Sequence, residues 1–112
     1  MSSPEVFKIY TTQFRFLDTH NAKIRPVIVV SLPQGKHNVI AVIPLSSKSK
    51  QEAVDVALNH WERGGLVKAS IARVHRITTI LQSDLLAELG LLAEGDIKAL
   101  KESLRTYLSL YT

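Results

Sequence analysis

The chain contains no cysteine, which excludes a disulfide framework, thiol catalysis and cysteine-ligated zinc together. No apolar stretch approaches the ~20 residues that a membrane-crossing helix needs. The opening Met1-Ser2-Ser3-Pro4-Glu5 lacks signal-peptide character. Both absences lead to the expectation of a cytoplasmic protein with no membrane contact. The 4 histidines, His20, His37, His60 and His75, lie far apart, and none makes the His-x3-His or His-Glu pairing of a metal site. There is no glycine loop of the phosphate-binding kind and no paired-carboxylate pattern, so no cofactor is expected. Acids are scarce where bases gather. Between Arg15 and Lys50 six basic residues (Arg15, Lys23, Arg25, Lys36, Lys48, Lys50) meet one acid, Asp18.

What is present is the composition of an ordinary globular protein. At 112 residues, 46% hydrophobic and 21% charged, the chain is sized for one domain, residues 1–112, with its own core. The net charge of +4 is unevenly spread. Residues 1–80 carry 11 Lys/Arg against 5 Asp/Glu, whereas residues 81–112 carry 3 against 5. A basic first part suits a polyanionic partner such as nucleic acid; the competing reading is a mildly basic solvated surface.

The first two-thirds reads as β structure and the last third as helix. Residues 6–16 are aromatic and β-branched, as in one or two half-buried strands, and residues 18–23 are a polar loop. The run Val27-Ile28-Val29-Val30 predicts a strand buried on both faces. Pro33 and Gly35 then mark a hairpin turn into Val39-Ile40-Ala41-Val42-Ile43, a second run apolar on both faces. Residues 52–61 fit a strand and a helix equally well, and Gly64-Gly65 breaks the chain before one or two more strands up to Ile80. Ser83 is placed to cap a short helix carrying Leu85, Leu86 and Leu89, with Gly90 to end it. From Asp96 onward Ile97, Leu100, Leu104, Tyr107, Leu108 and Tyr111 recur at helical spacing. The expected architecture is α+β, mainly β: a small antiparallel barrel over residues 6–80 with a helical part over residues 83–110.

Arg25 is the leading candidate for chemistry. Pro26 fixes its own φ and drives Arg25 into an extended conformation at the mouth of a buried strand, well placed to grip an anion. Metal-free acid–base chemistry on a phosphate also needs a proton acceptor and further donors. His20, His75, Arg73, Ser46 and Ser47 are the candidates. Each has a plainer reading: His75 as a half-buried strand residue, Ser46-Ser47 as the end of a strand, His20 as a turn residue.

Taken in order, several segments resemble the MazF/PemK family of toxins from bacterial toxin–antitoxin pairs. They are Lys23-Ile24-Arg25-Pro26-Val27-Ile28-Val29-Val30-Ser31, Ile43-Pro44-Leu45-Ser46-Ser47 and Gly65-Leu66-Val67-Lys68-Ala69-Ser70. Arg73, Ile77-Thr78-Thr79-Ile80 and Leu89-Gly90-Leu91-Leu92 follow before a final helix. One element departs: Pro4-Glu5-Val6-Phe7 stands where the family usually has Gly-Asp or Gly-Glu.

The resemblance implies an SH3-like barrel, a homodimer, and metal-independent cleavage of single-stranded mRNA at short sequences through a 2′,3′-cyclic phosphate. It also favours a strand over residues 55–60. It implies that Arg25 stabilises the phosphorane, that Ser46 replaces the family's usual threonine, and that Arg73 and His75 assist, His75 standing where related toxins have an aspartate base. His20, Lys23, Ser47 and Lys48 are the implied RNA-binding residues, and a cognate antitoxin with an acidic tail is the implied protein partner. The apolar run 39–43 or the last helix would serve the dimer. The alternative is a non-catalytic binding protein on the same fold, like the gyrase-poisoning CcdB toxins or a degenerate RNA-binding member.

Overall fold

The computed structural model describes residues 4–14, 23–50 and 52–109. Its elements are β1 (Lys8–Phe14), β2 (Lys23–Val29), β3 (Val39–Ser46), β4 (Val56–Ala57), β5 (Ile71–Ala72), β6 (Thr78–Leu81), β7 (Leu85–Leu91) and α1 (Glu94–Leu108). The strands form an antiparallel sheet in the order β4-β5-β3-β2-β1-β7, with β6 also paired to β3.

The hairpin β2–β3 is the heart of the sheet, as the two apolar runs predict. Val27, Ile28, Val29, Ile40, Val42 and Ile43 are wholly buried. Strand alternation sends Ile28, Ile43 and Leu45 to one face, where they pack with Ile9, Val74 and Leu100. Val27, Val29, Ile40 and Val42 form a smaller cluster on the other face. The turn between the strands reaches the left-handed region at Gly35 (φ 77°) and Asn38 (φ 52°), residue types that tolerate it. Because β3 pairs with β2, β5 and β6, residues 39–43 lie inside the sheet and offer no edge to a dimer partner.

Residues 85–91 are a strand, which corrects the expected short helix with its Ser83 cap. Leucine, alanine and glutamate favour a helix locally, but the free edge of β1 wins, since tertiary pairing overrides weak local preference. The β1–β7 ladder runs from Lys8↔Leu91 to Thr12↔Leu85 with two register shifts. Buried Thr12 donates its hydroxyl to the Asp84 carbonyl at 2.8 Å, and Thr11 Oγ1 accepts the Ala87 N–H at 3.0 Å. Ser83 itself lies in a 3-10 turn, Gln82–Asp84.

The expected strand over residues 55–60 is shorter, confined to Val56–Ala57, and is followed by a 3-10 turn, Trp61–Gly64. The N–H groups of Asn59 and His60 turn away to the buried Asp96 carboxylate, at 2.8 and 3.0 Å. Asp96 sits in the first turn of α1, where a negative charge is favoured. It thereby ties the helix to the chain leaving β4.

Among the described residues no ladder joins β4 to β7, so the sheet is not closed into a hydrogen-bonded barrel. Its ends meet by backbone contact instead. A Cβ on Gly90 would stand 2.8 Å from the Gly64 carbonyl carbon and oxygen, and one on Gly64 would stand 2.6 Å from Ile9 Cδ1. Only glycine permits that approach. Helix α1 covers one end of the core through Leu100, Ile97, Leu104 and Tyr107, four of the stripe read from the sequence; Leu108 is exposed instead, and Tyr111 lies outside the described residues.

Candidate active site

The cleft begins where two strands part. The β2–β3 register runs Val29↔Val42, Ile28↔Ile43, Val27↔Pro44 and stops there. Beyond it, Pro26 and Arg25 stay with β1 (Thr11↔Pro26, Thr12↔Arg25), while Leu45 and Ser46 pass to β5 (Leu45↔Ala72, Ser46↔Ile71). A proline stands on each side of the fork, and neither has an N–H to give a ladder. The Pro44 carbonyl instead accepts the Arg73 N–H at 3.0 Å.

Between the parted strands opens a cleft of about 600 Å³. Arg25 and Lys23 stand on the β2 lip, and Ser46, Ser47 and Lys48 on the β3 lip. The residue 66–70 segment contributes Leu66, Val67, Lys68 and Ser70, and the chain after β5 contributes Arg73 and Arg76. Among the described residues six cations line this cleft and no acid does. Such a surface concentrates polyanions by its field alone.

Of the residues proposed from the sequence, Arg25, Ser46, Arg73, Lys23, Ser47 and Lys48 come together here. His20 lies outside the described residues. Ser46 also serves the plainer role, accepting the Lys48 N–H at 3.1 Å in a tight turn. His75 is not in a strand and does not line the cleft; it belongs to the 3-10 turn Val74–Arg76, two residues beyond Arg73.

Arg73 lines the cleft yet is only 4% exposed. Its Nη1 pairs with the buried carboxylate of Asp55, and its Nη2 donates to the Ser49 carbonyl at 3.1 Å. The other Asp55 oxygen lies 3.7 Å from His75 Nδ1. Asp55, Lys68 and Arg76 are the members that sequence reasoning missed. A lone acid has no spacing signature, and Lys68 and Arg76 resemble any solvated base.

Among the described residues no three His, Cys, Asp or Glu side chains converge as metal ligands, and no helix is long and apolar enough to cross a membrane.

Fold and cleft together define a small α+β protein with a site built for a polyanion. The chain belongs to the family described as PemK-like, MazF-like toxin of type II toxin–antitoxin system, whose model matches residues 5–108. No curated protein matches it in sequence. Similar solved structures include an endoribonuclease from Mycobacterial species, 16% identical with TM-score 0.74, covering 100% of this chain and 97% of that one. The Mycobacterium tuberculosis toxin MazF-mt6 is 22% identical with TM-score 0.71, covering 94% and 99%. A MazE–MazF structure from Deinococcus radiodurans is 17% identical with TM-score 0.72, covering 96% of each chain. At these identities the likeness establishes a shared fold.

Proposed function

We propose that this protein is a toxin-type endoribonuclease that cuts single-stranded RNA, mRNA above all, at short specific sequences without a metal. The observation that carries the reading is the cleft that six cations and no acid line among the described residues, entered between Arg25 and Ser46 on opposite lips. The RNA supplies its own nucleophile. Its 2′-hydroxyl attacks the adjacent phosphorus, the P–O5′ bond breaks, and a 2′,3′-cyclic phosphate and a 5′-hydroxyl remain.

Arg25, held extended by Pro26, hydrogen-bonds the phosphorane oxygens and gives the departing 5′ oxygen its proton, which solvent restores to the guanidinium. Ser46 accepts the Lys48 N–H and keeps its own hydrogen to donate to the same phosphate. Arg73 adds fixed guanidinium donors. His75, two residues beyond Arg73 and outside the cleft lining, takes the 2′-hydroxyl proton through one bridging water; its Nδ1 is buried toward Asp55, which leaves Nε2 for that role. Lys23, Ser47 and Lys48, with His20, hold the flanking nucleotides.

A homodimer working in the cytoplasm and silenced by a cognate antitoxin completes the proposal. A solved mycobacterial relative of similar fold is described in complex with its cognate antitoxin, and an acidic antitoxin segment would match the basic cleft. Incubation with mixed single-stranded RNA in the presence of chelator tests the activity. Cleavage to 5′-hydroxyl ends is expected, with Arg25→Ala slowing it about 100-fold or more. Intact RNA, or cleavage indifferent to Arg25→Ala, would sink the reading. Affinity for RNA or gyrase without products would instead indicate a binding protein on this fold. Mapping the 5′ ends identifies the cleaved sequence.

A further inference from the structure

We infer that Asp55 is a positioning residue for this reaction, a single carboxylate that clamps Arg73 and faces His75; the inference rests on the ribonuclease reading above. Asp55 precedes β4, 18 residues from Arg73, and its side chain is fully buried. One oxygen accepts from Arg73 Nη1 and from the Glu52 N–H at 2.9 Å; the other faces His75 Nδ1 at 3.7 Å. Arg73 Nη2 is held by the Ser49 carbonyl at 3.1 Å. Neither Asp55 nor Ser49 lines the cleft, whereas Arg73 does.

The guanidinium is therefore clamped by partners outside the cleft lining. Arginine carries five N–H donors, and the clamp leaves others for an anion. A buried ion pair gains little net stability, because desolvating two charges offsets their attraction. Its yield here is geometry. The rotamer freedom of Arg73 is lost on folding, before RNA arrives, so a phosphate meets donors already in place. Neutralised by Asp55, Arg73 contributes less to the general attraction for RNA than the other lining cations do. It acts through orientation. The other oxygen of the same carboxylate faces His75 Nδ1 at 3.7 Å, an electrostatic contact beyond hydrogen-bond distance, so the charge that clamps Arg73 also stands against the base.

The test is a double-mutant cycle of Asp55→Asn and Arg73→Gln, read as kcat and KM for single-stranded RNA and as affinity for a non-cleavable 2′-O-methyl RNA. Melting curves establish that each variant is folded. Asp55→Asn keeps the shape and removes the charge. It should lower kcat about 30-fold or more while KM stays level or falls, since Arg73 is left positive. Added to Arg73→Gln, it should cost less than about 3-fold further. Should Asp55→Asn fail to fold, Asp55→Glu takes its place, retaining the charge with the carboxylate moved by one methylene; a kcat loss near 10-fold is then expected.

A folded Asp55 variant with unchanged kcat, or losses that multiply independently with Arg73→Gln, overturns the inference and leaves the ribonuclease reading standing. If the wild type binds RNA without cutting it, the ribonuclease reading falls and the affinity cycle decides. Coupling between the two sites then supports the Asp55 clamp, and independent effects overturn it. A wild type that neither cuts nor binds RNA overturns both.

Discussion

The Ser46 hydroxyl accepts the Lys48 N–H at 3.1 Å, and its hydrogen remains to be given into the cleft. Ser46→Ala removes both contacts, so cleavage should fall about 10- to 100-fold, as for loss of one oriented donor. Ser46→Thr restores the residue that the family resemblance leads one to expect and should retain most activity; initial-rate assays on one short RNA separate the two variants. A threonine variant as slow as the alanine variant would count against a donor role for the hydroxyl, which threonine retains. Phe7 shows another single-residue compromise. Its backbone lies at φ 72°, which glycine adopts freely and a phenylalanine only at a cost of about 1–3 kcal/mol. The Val29 carbonyl accepts its N–H at 2.6 Å, its own carbonyl accepts the Leu92 N–H at 3.0 Å, and the Lys101 ammonium sits 5.5 Å from its ring centre. At this scale the sequence was half legible. Arg25 announced itself through Pro26, because proline constrains its neighbour locally. Asp55 did not, since its meaning depends on an arginine brought close only by the fold.

The elements legible in advance were those whose period matched their surroundings: β2 and β3, buried on both faces, and α1, buried along one stripe. Strand β7 was illegible because its residues prefer a helix and only the ladder with β1 makes it extended. Its outer face carries a titratable contact. Lys8 Nζ lies 3.2 Å from Glu88, and the Tyr10 hydroxyl 3.4 Å from the same carboxylate. The Glu88 hydrogen bond raises the lysine above its ordinary 10.5, and burial raises the tyrosine above its ordinary 10.0. With both folded-state values raised, the folded chain holds these protons more tightly than the unfolded one. Their contribution is complete below the ordinary values and is lost as pH rises through the raised ones. Glu88→Gln should therefore lower the urea midpoint slightly at neutral pH, within the small range of exposed ion pairs. Above the raised values that difference should vanish or reverse, because Lys8 is then neutral and Tyr10 is negative beside Glu88. A difference that held steady through the alkaline range would count against this contact.

At the scale of the whole molecule, six of the 11 Lys/Arg of residues 1–80 gather in one cleft that no acid lines among the described residues, and Lys23, Arg25 and Lys48 of the basic stretch between Arg15 and Lys50 stand on its lips. With the charge of Arg73 offset by Asp55, at most five of the six lining cations neutralise phosphates and release counterions, although Arg73 still donates hydrogen bonds. For a single strand the logarithm of affinity should then fall against the logarithm of salt with a slope no steeper than about −3.5. Titrating 2′-O-methyl RNA at several salt concentrations measures it, and a slope near zero would place RNA elsewhere. The parted strands were beyond sequence reading, since no local pattern states where a ladder stops. The ladder between β1 and β7 has a consequence in time. Lys8 must wait for Leu91, so the sheet is completed only after nearly all of the described chain has left the ribosome. The strands that carry the cleft, β2, β3 and β5, are all translated before β7. During synthesis the cell meets the parts of a destructive site earlier than the fold that steadies them.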